Sequence, residues 1–259
     1  FAVAALVAGG IRAFLLWSNT RLAYVSASDI SFEVYRRTLY QPYQIHLARN
    51  SSAVISGLEY KVGFAIGVLL QSLTLVSSFL LLIALLAVLL ALDAAVVLAA
   101  VSSFGACYGL MSWMSRKRLG ANAQRIARES TQVNKAVQEG LGGIRDVLLD
   151  GTQSFYCDIY RRADYPLRLA MGGNVFIAGS PRFFMEALGM ASIAALAYSL
   201  SYRAGGVASA LPELGALALG AQRLLPSLQQ IYAAWAGIAG SRTSLTETLE
   251  FLDQPLPAE

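Results

Sequence analysis

From Val62 to Ser115 the chain reads VGFAIGVLLQSLTLVSSFLLLIALLAVLLALDAAVVLAAVSSFGACYGLMSWMS, and Arg116, Lys117 and Arg118 follow at once. No charged side chain occurs from Val62 to Leu92 or from Ala94 to Ser115, and Asp93 alone separates the two runs. A transmembrane helix needs about 20 predominantly apolar residues, so the spacing predicts two membrane helices joined by a hairpin at Leu92-Asp93. Lys and Arg collect at the cytoplasmic ends of spans. Arg116 to Arg118, with Arg125, Arg128 and Lys135 beyond them, therefore assign that end to the cytoplasm.

The rest of the chain has the same bias. Of 259 residues 56% are hydrophobic and 14% charged, against about 25% charged in an average soluble domain. Disorder is excluded, and an ordinary soluble enzyme is disfavoured. Three further stretches have the length of a span: 1–24, with Trp17 and Tyr24 suited to the membrane interface; 169–202, containing Pro181, Arg182 and Glu186; and 211–235, containing Arg223 and Pro226. The expectation is an all-α, multi-pass protein of the cell (inner) membrane. The start at Phe1, with neither Met nor a basic leader, reads as that of a fragment.

Beyond Ser115 the pattern changes from apolar to amphipathic. Leu119, Ala123, Ile126, Val133, Val137, Ile144 and Leu148 recur at the spacing of one helix face. No proline interrupts Ala94 to Leu148. A single helix over that stretch would be about 80 Å long, against about 30 Å of hydrocarbon, so more than half of it would stand in water. Gly140, Gly142 and Gly143 are the places where continuity is weakest. Asp29 to Tyr60 has a similar mixed character, broken by Pro42 and Asn50-Ser51-Ser52, and a matching break lies at Asp150-Gly151. Two intracellular hairpins with short aromatic-bearing tips are expected.

Basic clusters also bind nucleic acid, but Glu129, Glu139, Asp146 and Asp150 are interspersed and no aromatic lies between Arg116 and Gly151. Membrane orientation explains the charges and nucleic acid does not. Cys107 and Cys157 lack metal-ligand spacing. His46 is the only histidine and has no H-E-x-x-H neighbourhood, so metal and Ser-His-Asp catalysis have little support. Asp29 and Glu33, one helical turn apart, read as a solvated face. No G-x-x-x-x-G-K-[ST] loop occurs, and Gly140-Leu141-Gly142-Gly143 has no phosphate-binding lysine, so this chain alone is not an ATPase.

Four strings carry a resemblance: Gln138-Glu139-Gly140-Leu141-Gly142-Gly143-Ile144-Arg145-Asp146-Val147, Asp150-Gly151-Thr152-Gln153-Ser154-Phe155, Pro181-Arg182-Phe183-Phe184-Met185-Glu186, and Ala221-Gln222-Arg223-Leu224-Leu225-Pro226-Ser227-Leu228. With the layout, they resemble the transmembrane domain of ABC transporters of the exporter type, nearest the subgroup of bacterial lipid-linked oligosaccharide flippases. The resemblance covers nearly the whole chain, as the second to sixth of the usual six helices. It implies a polytopic helical bundle with long intracellular helices over 1–252, and at 253–259 the start of a linker to a nucleotide-binding domain absent from this sequence.

The resemblance further implies a mechanism and partners. Two copies would enclose a central pathway, and nucleotide-binding domains, on the same polypeptide or a separate one, would bind ATP and Mg²⁺ and drive alternating access. The first coupling element would fall at 41–50, with Gln41, Tyr43 and His46. The second would fall at 151–160, with Gly151, Phe155 and Tyr156. Phe155 stands where the family often inserts an aromatic into the nucleotide-binding domain, whereas Gln153 replaces a residue that is often acidic. No cofactor is expected in this chain itself.

For the substrate pathway the candidates are the charges inside apolar stretches, which are costly in hydrocarbon and generally face a cavity or a partner. These are Arg223, Arg182, Glu186 and Arg12. Arginine suits phosphate because its planar fork makes paired, charge-assisted hydrogen bonds, which points to an anionic group on the amphipathic, lipid-linked substrate that the resemblance implies. Arg182 and Glu186 are four residues apart, so a mutual ion pair is the alternative for them. An ion-driven secondary transporter using that pair as a charge relay, or a membrane-embedded lipid-modifying enzyme, are the competing functional readings.

Overall fold

The computed structural model describes residues 2–44, 62–90, 94–201 and 206–254, and the backbone alone for 206–221, for Arg223 and for scattered residues near the helix ends at 2–5, 62, 89, 94–100 and 192–201. Among the described residues 95% are helical and none is in a strand, as the all-α expectation requires. The helices are α1 (Ala2–Leu39), α2 (Val62–Leu90), α3 (Ala94–Gly142), α4 (Ile144–Leu149), α5 (Gln153–Ser201) and α6 (Gly206–Leu252). The described residues of each stretch expected to span the membrane lie in a long helix of their own. Among the described residues one segment, Gly63–Val88 in α2, is long and apolar enough by composition to cross a membrane. The apolar stretches of α1, α5 and α6 are interrupted by Arg12 and Arg21, by Arg182 and Glu186, and by Glu213 and Arg223.

The helix ends follow local chemistry. α1 stops at Leu39 because Pro42 disfavours helical geometry just before it, and its last turn tightens as Gln41 N–H donates to the Thr38 carbonyl at 3.3 Å. α3 runs unbroken through Gly140 and Gly142 for 49 residues, about 74 Å, and ends at Gly143, short of the Leu148 expected from the absence of proline. A six-residue helix, α4, follows. It closes on Gly151, whose φ of +65° is the left-handed conformation that glycine adopts at no steric cost. The Thr152 N–H reaches back to the Val147 carbonyl at 3.1 Å, completing a Schellman-type stop before α5 begins.

The chain divides into two compact units: unit 1 takes 1–73, 119–174 and 237–259, and unit 2 takes 74–118 and 175–236. In unit 1 the core joins α3 to α5 through Ile126, Val133, Ala163, Leu167 and Ala170, with Phe64 of α2 and Met171 packed on it. The amphipathic face anticipated for α3 is buried at Leu119, Ala123, Ile126 and Val133. Val137, Ile144 and Leu148 were expected on that face and are exposed instead. The stripe passes to Ala136, a three-residue step from Val133, and the break at Gly143 resets the phase so that Val147 is the buried residue of α4.

Polar side chains cross-link unit 1. Asn122 of α3 donates to Asn174 of α5 at 2.8 Å, and Asn174 donates in turn to the Gly240 carbonyl of α6 at 3.3 Å. Each such bond contributes about 1 kcal/mol net. Gly240, Ser244 and Thr248 recur every fourth residue on α6 and are all buried, a small-residue stripe that permits close approach. In unit 2 the buried side chains include Leu82, Phe104, Tyr108, Met185, Leu224 and Tyr232. Ser78 of α2 donates to Gln230 of α6 at 3.0 Å, and Tyr232 of α6 donates to Ser115 of α3 at 3.2 Å.

Candidate functional site

Two prolines shape the interior of unit 2. Pro181 in α5 and Pro226 in α6 each remove a main-chain N–H, so the carbonyls of Ile177 and Gln222 lose the donor a regular helix would supply. Within membrane helices such breaks are tolerated beside other helices or a cavity. Both prolines line a cavity of about 410 Å³ with Tyr108 of α3, Arg182 of α5, and Gln229, Gln230 and Tyr232 of α6. That volume is on the scale of small-molecule sites.

The walls are aromatic and amide-bearing. The rings of Tyr108 and Tyr232 lie 5.6 Å apart at 43°, and Trp235 continues the cluster 5.7 Å from Tyr232. The Tyr232 hydroxyl is taken by Ser115 and the Gln230 oxygen by Ser78. Arg182 is the charged member of the lining, and it donates to Glu186 at 2.8 Å, one turn along the same helix. Its side chain is 63% exposed, so the pair leaves the guanidinium open on its other edge while cancelling its charge.

The residues expected from the sequence are placed as follows. Arg182 and Glu186 form the mutual ion pair that was the alternative to two separate pathway charges. Arg12 is exposed on α1. Arg223 lies on α6, three residues before Pro226, and its side chain is outside the described residues. Tyr108, Gln229, Gln230 and Tyr232 went unnoticed because attention rested on charge. Their signal was adjacent glutamines and tyrosines inside otherwise apolar helices, where every uncharged polar group also needs a partner.

At the tips of unit 1 the placements are mixed. Gln41 was expected to face a cytoplasmic partner, yet it is 9% exposed and donates back to the Arg37 carbonyl at 3.0 Å. Tyr43 is exposed. His46, with the remainder of the first coupling element, lies outside the described residues. Gly151 makes the turn, and Phe155 is 61% exposed in the first turns of α5. It meets Tyr156 edge to face at 5.5 Å, while Tyr156 packs beside Gly140, where an added Cβ would stand 3.6 Å from the ring. Leu141, Leu148 and Leu149 are exposed beside the turn. The tip therefore includes all of α4 and begins at Gly143, eight residues before the break read from Asp150-Gly151.

Among the described residues no three His, Cys, Asp or Glu side chains gather where they could hold a metal ion. Cys107 and Cys157 are free thiols. No protein-family model matches the chain, and no curated protein matches it.

Proposed function

We propose that the chain is the transmembrane subunit of an ATP-driven exporter or flippase that moves an amphipathic, lipid-linked substrate by alternating access. The observation that carries this reading is the pairing of α3 and α5, 49 residues each, through the short helix α4. Each of the two is more than twice the length needed to cross hydrocarbon. A membrane protein that needed only a pore or a lipid-facing active site would have no use for such stalks. Stalks that end in an exposed apolar tip, here Leu148, Leu149 and Phe155, suit docking of a cytoplasmic motor domain.

On this reading the helices form a multi-pass bundle in the cell (inner) membrane, with Gly63–Val88 as its most apolar span. Two copies act together, and the ATP and Mg²⁺ belong to nucleotide-binding domains of the same or another polypeptide. This chain contributes the pathway and the docking tips. Closure of the motor domains, received at 143–160, would be carried along α3 and α5 to the membrane segments.

The test is reconstitution of the full-length protein in proteoliposomes with a fluorescent lipid-linked glycan. Translocation that requires ATP hydrolysis and survives collapse of the proton and sodium gradients is expected. Translocation driven by an ion gradient without ATP would instead establish the secondary-transporter reading, and chemical conversion of the lipid would establish the enzyme.

A further inference from the structure

Within unit 2 the outer face of α3 changes character along its length. Phe104 and Tyr108 are buried and Ser115 is held by Tyr232, so these residues mark the inner side. Leu110, Trp113 and Met114 are exposed on the other side, and the exposed cations Arg116, Lys117 and Arg118 follow them. Residues three and four apart are neighbours on a helix. Leu110 therefore stands beside Trp113 and Met114, Trp113 beside Arg116 and Lys117, and Met114 beside Lys117 and Arg118. The stripe passes from apolar to cationic within about 12 Å, the rise of eight residues.

The charges at the lower end of the stripe are not neutralised locally. α3 has no acidic residue from Ala94 to Arg128, and among the described residues no carboxylate pairs with Arg116, Lys117 or Arg118. Arg37, Arg168 and Arg182, by contrast, each have a carboxylate one turn away on their own helix. Three adjacent cations call for an anion, and the apolar half of the stripe says which kind. A water-soluble anion would use the cations and leave Trp113 and Met114, 73% and 65% exposed, bare. A second copy meeting this face about a two-fold axis would set three cations against three. An anionic phospholipid uses the whole stripe: acyl chain along Leu110 and Met114, indole at the headgroup level, phosphate at Lys117 and its arginine neighbours.

We propose that this face of α3, from Leu110 to Arg118, binds an anionic phospholipid of the cytoplasmic leaflet, a lipid resident beside the protein and not transported by it. The proposal rests on the multi-pass membrane setting of the transport reading and adds a partner to it. The lipid is selected by charge at Arg116, Lys117 and Arg118 and seated by the apolar surface above them.

Binding is measured on the full-length protein in phosphatidylcholine nanodiscs, without ATP, by quenching of Trp113 with lipids brominated in their acyl chains. The Trp113 signal is the emission lost in Trp113→Phe. Brominated phosphatidylglycerol and brominated phosphatidylcholine are compared at equal mole fraction. At low salt a relative affinity at least about fivefold in favour of phosphatidylglycerol is expected. It should fall to within about twofold in the triple variant Arg116→Gln, Lys117→Gln, Arg118→Gln. The same fall is expected for the unaltered protein in about 0.5 M salt, which screens the charges and needs no variant to fold. Arg128→Gln, about 15 Å further along the helix, should keep the full preference. Equal quenching by the two lipids, or a preference that survives the triple variant or the salt, would overturn the proposal. So would a preference lost in Arg128→Gln, which would make the attraction diffuse. Quenching by neither lipid would also overturn it and would show the face covered by protein, a second copy included. A protein that transports with ATP but shows no lipid preference refutes this inference alone, and a lipid preference without ATP-driven transport refutes the transport reading alone.

Discussion

The guanidinium of Arg37, near the end of α1, donates to the main-chain carbonyl of Leu252, the last residue of α6, 215 positions away in sequence. The same side chain donates to the Gln254 carbonyl at 3.0 Å and is oriented by Glu33 at 2.6 Å. The last carbonyls of a helix have no intrahelical donor and carry its partial negative charge, so a cation there satisfies both. Arg37→Ala should destabilise the protein by about 2 kcal/mol, read as a lowered melting temperature in detergent. Arg37→Lys should recover less than half of the loss, since one ammonium cannot reproduce the fork that reaches Glu33 and the carbonyls together.

Asn174 links α3 to α6 through Asn122 and Gly240, and the link also explains the glycine. A Cβ at residue 240 would stand 2.5 Å from the Asn174 amide nitrogen. Gly240→Ala should therefore cost about 1–3 kcal/mol by overpacking, and Asn174→Ala about 1 kcal/mol by loss of the cross-links. The double variant should lose less than the sum of the two, because the truncated asparagine no longer meets the new methyl. Unfolding titrations of the three variants test this; strict additivity would contradict the geometry.

The tip at 143–152 separates a structural role from a docking role. Gly151→Ala places a side chain at φ +65° and should cost about 1 kcal/mol. Phe155→Ala removes an exposed ring and should leave stability within about 0.5 kcal/mol, yet on the proposed transport reading it should uncouple ATP hydrolysis from transport. ATPase and translocation rates measured on one preparation distinguish the two; coupling that survives Phe155→Ala would relocate the docking contact.

Exchanging the Arg182–Glu186 pair tests what it is for. Arg182→Glu with Glu186→Arg retains a partnered pair four residues apart, so assembly and transport should be largely kept, whereas Arg182→Ala alone leaves a lone carboxylate in α5 and should impair both. If the exchange abolishes transport while the protein assembles normally, the guanidinium itself contacts the substrate at position 182.

Arg223 interrupts the apolar stretch of α6. On the proposed pathway, Arg223→Ala should reduce translocation at least tenfold with normal assembly by size-exclusion chromatography, and Arg223→Lys should restore part of it. Tenfold corresponds to about 1.4 kcal/mol, within reach of one charge-assisted hydrogen bond. Unchanged transport in Arg223→Ala would remove the residue from the pathway.

Much of this molecule was legible in one dimension because its constraints are local. A charge-free run as long as 62–90 has the composition of a span, and α2 forms over it. Pro42 and Gly151 mark breaks because one excludes helical geometry before it and the other alone accepts a positive φ. The face of α3 at Leu119, Ala123, Ile126 and Val133 follows from helical period. Period fails at Val137, Ile144 and Leu148 because it holds only while the helix continues, and Gly143 ends it.

The site was not legible in the same way. Charges in apolar helices draw the eye because each is expensive alone, but the cost depends on the neighbour. Folding gives Arg182 its partner in Glu186 and gives the Tyr232 hydroxyl its partner in Ser115, 117 positions away. Among the described residues it leaves the Tyr108 hydroxyl without one. Local chemistry determined where the helices begin and end; which polar groups are answered across helices, and which face an open cavity, only the tertiary packing decided, because a hydrogen bond between distant residues has no signature in the spacing of either.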